Sequence, residues 1–77
     1  MDAELEKAKL AKLLEIEGYD TLEALLEAVF SDAVSPAICT QEGCDYTTEM
    51  EPDQDAGYCE VCRTQTVVAA PVLADLI

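Results

Sequence analysis

All four cysteines of the chain fall between residues 39 and 62, in the order Cys39-x4-Cys44-x14-Cys59-x2-Cys62. Two close cysteine pairs separated by about 15–20 residues are a usual layout for a structural zinc site. The second pair has the common x2 spacing, and the first, at x4, lies at the wide end of the accepted range. Zn(II) takes four ligands at the corners of a tetrahedron, with Zn–S near ~2.3 Å. A tight turn lets two thiolates from one loop share an edge of that tetrahedron, and two such loops supply both edges. Four thiolates close the coordination shell, so no position stays open for a water nucleophile.

Other uses of the same thiols are an iron site, a disulfide pair, a redox switch and four free thiols. Cys59-Glu60-Val61-Cys62 lacks the βαβ surroundings of a thioredoxin-like site and does not open a helix. An iron site of the rubredoxin kind expects an aromatic shell, and only Tyr46 and Tyr58 lie near the cysteines in sequence. Catalysis is not expected. The chain has no histidine to act as base, and Glu49, Glu51, Asp53 and Asp55 fall in a polar stretch that reads as solvated surface.

The residues between and after the cysteine pairs must run out and back. "DYTTEM" (residues 45–50) contains the strand formers Tyr46, Thr47 and Thr48. "EPDQDAG" (residues 51–57) reads as a turn or exposed loop. "RTQTVVAA" (residues 63–70) begins with alternation and ends in valines, as a half-buried strand does. The two cysteine pairs, each on an expected β-turn, resemble a zinc ribbon. In that family two cysteine knuckles grip one zinc at the end of a small antiparallel sheet. The resemblance spans Ile38 to about Ala70 and implies one structural Zn2+ held by Cys39, Cys44, Cys59 and Cys62. Two positions depart from the usual CxxCG knuckle: Gly43 precedes the second cysteine of the wide pair, and Arg63 rather than glycine follows Cys62.

Ahead of the cysteines the sequence reads as two helices. From Asp2 to about Glu17 it is rich in Ala, Leu, Glu and Lys, all strong helix formers. Leu10, Leu13, Leu14 and Leu5 form the expected buried stripe, and Gly18 suits a C-cap. A second helix is expected from Asp20 as N-cap, with Glu23 as its capping-box partner. Leu22, Leu25, Leu26, Val29 and Phe30 then follow the spacing of one buried face. Pro36 disfavours a helical Ser35, so this helix should fade near residues 31–34. The expected fold is α+β, a single domain over 1–77: a two-helix hairpin (1–34), a small antiparallel β zinc ribbon (37–70) and an apolar C-terminal tail (71–77). The hairpin ahead of a ribbon resembles small bacterial and phage proteins.

The chain of 77 residues carries 17 acidic and 4 basic side chains, a net charge of −13. Phosphate binding needs a Lys/Arg footprint, so direct nucleic-acid contact is disfavoured. A helix–turn–helix reader is disfavoured for the same reason, since its recognition helix would expose glutamates. Met1 is followed by Asp2, Glu4 and Glu6, and no apolar run approaches the ~20 residues that span a bilayer. A soluble, cytoplasmic protein without membrane association is expected, a compartment in which cysteine pairs more often bind metal than form disulfides. The reading that follows is a protein–protein interaction module that meets a basic protein partner, acting as a bacterial or phage regulator of transcription or nucleic-acid machinery. The alternatives are a nucleic-acid-binding ribbon and a redox or electron-transfer protein using the four thiols. Val72, Leu73, Leu76 and Ile77 would be an exposed apolar tail if left in water. Fold-back onto Leu10, Leu14, Leu26 and Phe30 is the favoured expectation, with a homodimer as the alternative.

Overall fold

Helix-forming composition gives α1 (Ala3–Glu17), and its end is set by backbone chemistry. Gly18 takes φ +80°, a left-handed conformation that costs glycine little. Its N–H reaches the Glu15 carbonyl at 3.3 Å, and the Tyr19 N–H reaches the Leu14 carbonyl at 2.9 Å. These are the paired bonds of a Schellman cap, and Tyr19 completes it by packing onto the core. The computed structural model describes residues 3–76. The expected helix start at Asp2 and the tail residue Ile77 lie outside the described residues.

Helix α2 (Leu22–Asp32) is capped by Thr21, whose hydroxyl accepts from the Ala24 N–H at 3.2 Å. The expected cap, Asp20, is one residue too early. Thr21 has the extended backbone that an N-cap requires, so its side chain and not that of Asp20 meets the N–H three residues on. Leu25 and Val29 are buried, while Leu22 and Leu26 are half-buried. Phe30 is 81% exposed and does not share the buried face. Successive helical residues turn by ~100°, which swings Phe30 away from the Leu25–Val29 ridge that the sheet covers.

The second half is a four-stranded antiparallel sheet of β1 (Ser35–Cys39), β2 (Thr47–Met50), β3 (Gly57–Cys59) and β4 (Thr64–Ala69), in the order β2-β1-β4-β3. The expected α+β layout of two helices followed by an antiparallel sheet is therefore present. The sheet begins two residues before the expected start at residue 37, because β1 includes Ser35 and Pro36. Proline inside a central strand would remove a ladder bond. Here the pairing of β1 with β4 starts only at Ala37, so Pro36 has one paired neighbour, Glu49 of β2. It thus occupies an edge-like position.

Side chains alternate across the sheet, and both faces are used. Ile38 and Val68 point to the helices and join Leu13, Leu25, Val29, Ala70 and Leu73 in one core. Ala37, Cys39, Cys59, Val67 and Ala69 point the other way and gather Cys44, Tyr46, Met50 and Cys62 around them. The sheet curls over this second face. A Cβ on Gly57, at one edge, would collide with the Met50 side chain from the opposite edge and stand 3.2 Å from Val67 Cβ. Glycine at 57 lets the two edges approach.

Strand β4 runs into the short helix α3 (Ala70–Leu73), with Pro71 in its first turn, where a missing N–H is tolerated. The tail folds back: Leu73 is buried in the same core as Leu13 and Leu25, and Val72 packs against that core, as do Leu10, Leu14 and Leu26. Leu76 and Phe30 take no part in this and stay exposed. Among the described residues no helix is long and apolar enough to cross a membrane.

Candidate metal centre

The first cysteine pair grows out of the end of β1. Cys39 is the last residue of that strand, and its N–H donates to the Tyr46 carbonyl at 2.9 Å, which holds the loop closed at its base. Within the loop the Cys44 N–H donates to the Gln41 carbonyl at 3.1 Å. Gly43 turns the chain at φ +82° and brings Cys44 back towards Cys39. The wide x4 spacing is thus accommodated by one glycine-assisted turn placed before the second cysteine.

The second pair closes the β3–β4 hairpin. Cys59 ends β3, and the Arg63 N–H reaches back to the Cys59 carbonyl at 2.7 Å. The Cys62 N–H points at Cys59 Sγ, 3.3 Å away. Arg63 adopts φ +59°, the left-handed conformation for which the position after a knuckle ordinarily uses glycine. The knuckle geometry survives the missing glycine because the hairpin on either side over-determines it.

The curl of the sheet then brings the two turns together. Cys39 Sγ lies 3.8 Å from Cys62 Sγ, and Cys44 Sγ lies 3.8 Å from Cys59 Sγ. All four sulfurs are within 4.8 Å of one another and could hold a metal ion. A disulfide would need about 2.05 Å, and the four thiols are free. Sulfurs at ~2.3 Å around a central ion form a regular tetrahedron with edges of about 3.8 Å, so the donor set fits a tetrahedral thiophilic cation. Cys39 and Cys59 are buried and Cys44 and Cys62 half-buried, which leaves the centre closed on the sheet side and near solvent on the other.

The electrostatics of the cluster point the same way. At Cys39 burial pushes the thiol up. Hydrogen bonds from the Thr66 hydroxyl, the Gln41 backbone, Cys59 and Cys44 outweigh it and bring the thiol down to about 7. The hydroxyl stands 3.1 Å from the sulfur and is itself linked to Thr64 at 3.0 Å. Cys44 has a backbone hydrogen bond to Tyr46 that favours its thiolate, but burial and the neighbouring Cys39 and Cys59 raise it on balance. Cys62 is pushed up to about 12 by Cys44, by burial and by the other two cysteines. One thiolate is welcome in this cluster and further ones repel it. A dication at the centre would remove that conflict.

Cys39, Cys44, Cys59 and Cys62, the residues selected by spacing, are thus brought together. Glu49 of β2 and Glu51, Asp53 and Asp55 of the loop after it are exposed, and among the described residues they build no site with the cysteines. Lys9 was not foreseen. It is 5% exposed, and its ammonium group donates to the carbonyls of both Gln41 and Cys44. Helix α1 therefore clamps the first knuckle through two of its backbone carbonyls. Nothing in the helical pattern distinguishes Lys9 from the exposed Lys7, because only the fold shows which lysine faces a pair of carbonyls. Thr66 was also missed; it reads as an ordinary strand threonine until its partner is known. Comparison with protein-family models, with curated proteins and with solved structures found no match.

Proposed function

We propose that this chain is a non-catalytic interaction module whose β half is organised by one structural Zn2+ on Cys39, Cys44, Cys59 and Cys62, in the manner of a zinc ribbon. The observation that carries the metal reading is the sulfur quartet with its 3.8 Å separations. When bound, zinc would supply folding free energy and charge neutralisation, with no open coordination site for chemistry. The residues of the chain would do the rest. Backbone hydrogen bonds from Gln41 and Tyr46 favour thiolates, Lys9 holds the first loop, and Thr66 orients Cys39.

The interaction reading is supported by charge. A net −13 on 77 residues creates a field that attracts basic proteins and repels phosphate backbones. A regulator that meets a basic component of transcription or nucleic-acid machinery in the cytoplasm suits such a surface. The metal is tested by elemental analysis of protein purified under reducing conditions, with cobalt as a spectroscopic substitute. One zinc per chain and the visible bands of tetrahedral cobalt thiolate are expected. Iron absorbance in the native protein, or a folded chain without stoichiometric metal, would overturn the zinc assignment.

A further inference from the structure

On the helical side of the molecule an apolar groove of about 460 Å³ lies between α2, the loop after β2 and α3. Leu26 and Phe30 of α2 line it, with Ala33, Pro52, Pro71 and Leu76, and none of the cysteines does. Phe30 is 81% and Leu76 60% exposed, and they are the two large exposed hydrophobics that line this groove. Both escaped the core that α2 and the tail otherwise build.

The charged residues next to the lining residues in the chain are all of one sign. Glu27, Asp32, Glu51, Asp53 and Asp75 each adjoin a lining residue in the chain, and all are exposed. No lysine or arginine adjoins a lining residue in the chain: Lys7, which shares a neighbouring cavity with Asp75, lies on α1 with Lys9 and Lys12, and Arg63 lies at the second knuckle. An apolar slot whose lining residues have acidic chain neighbours, on a protein of net charge −13, is complementary to a helix with a large apolar anchor flanked by lysine or arginine. A second copy of this chain would instead set carboxylates against carboxylates, on a protein that already carries −13.

We infer that this groove is the docking site for a basic amphipathic helix of a partner protein, with Phe30 and Leu76 as its contact residues. This deepens the interaction-module reading and rests on it. The test uses the full zinc-loaded chain and a synthetic helical peptide with a leucine/tryptophan stripe and lysines elsewhere. A matched peptide carries glutamate in place of lysine. The lysine peptide should shift the amide resonances of the end of α2, the loop around Pro52 and α3, and the glutamate peptide should not bind. Phe30→Asp and Leu76→Asp should each weaken binding by about tenfold or more. Both side chains are exposed, so zinc content and circular dichroism should stay unchanged. Binding that shifts other residues and ignores both variants would remove the groove and leave the module reading standing. A dimer in sedimentation that Phe30→Asp disperses would make a second copy the occupant and overturn the inference. Equal binding of the two peptides would overturn its charge basis. Absence of binding by the lysine peptide at low salt would sink the groove and the basic-partner reading together.

Discussion

Two basic residues, one through its side chain and one through its backbone, shape the knuckles at the residue scale. Lys9 satisfies the Gln41 and Cys44 carbonyls from a buried position. Lys9→Met keeps the aliphatic stem and removes the donor, so it should cost about 1–3 kcal/mol, because the Cys44 carbonyl loses its donor while the Gln41 carbonyl keeps the Cys44 N–H. Lys7→Met, on the exposed side of α1, should cost less than about 0.5 kcal/mol. Denaturation of the two metal-loaded variants compares them directly, and equal effects would mean the clamp contributes nothing. Arg63 presents the reverse case. Its φ of +59° is unfavourable for a residue with a Cβ, by about 1–2 kcal/mol. Arg63→Gly relieves that strain, less the entropy glycine adds to the unfolded chain, and should stabilise by about 0.5–1 kcal/mol. Arg63→Val should destabilise, since a β-branched side chain tolerates this conformation least.

At the scale of elements, α2 is the clearest test of which face is inward. Leu25 is fully buried in the core it shares with Leu13, Ile38 and Val68, so Leu25→Ala should cost about 2–5 kcal/mol in chemical denaturation. Phe30→Ala should cost less than about 0.5 kcal/mol despite removing a larger side chain, because little of it is covered. At the helix start, Thr21→Ala should lose about 1 kcal/mol through its cap bond, and Asp20→Ala far less. Much of this element was legible in its sequence. The 3.6-residue period identifies a helix and its general apolar side, but the width of the covered stripe depends on how far the sheet extends beneath it. Strand β1 was not legible. "SPAIC" is too short for a clear alternation, its proline reads as a breaker, and it becomes a strand only because β2 and β4 supply partners on either side.

For the whole molecule, the sheet joins two cores. One face packs on the helices and the other surrounds the sulfurs. A domain this small buries a limited fraction of its surface, so loss of the metal should be felt throughout. Chelation of the reduced protein should unfold residues 39–68 and loosen the helices that rest on Ile38 and Val68, as read by amide exchange. Preserved protection in β1 and β4 after complete metal removal would contradict a structural role. The pH dependence follows from the thiols. Cys39 favours its thiolate down to about 7, and its contribution to binding fades as pH falls through that value. Cys44 and Cys62 are held up, the latter to about 12, so a metal must displace their protons at neutral pH. Each step down in pH strengthens that competition. Metal affinity should therefore rise steadily from pH 5 to pH 9 in competition with a chromophoric chelator, and a flat profile would exclude thiolate ligation.

The number and spacing of the cysteines determined that two turns could each deliver two thiolates, because ligand reach within a turn is a local property. Helix-forming composition and Gly18 determined where α1 would end, again through contacts within a few residues. The meeting of the two turns, the burial of Lys9 rather than Lys7, the exposure of Phe30 and the pairing of "SPAIC" were decided only by tertiary structure. Each of these depends on residues distant in the chain, and Lys9 meets its carbonyls across 32 and 35 positions. A local pattern specifies which conformations and faces are available. The curl of the sheet and the seating of the helices decide which of them find partners, since hydrogen bonds and burial are satisfied by whatever surface arrives opposite.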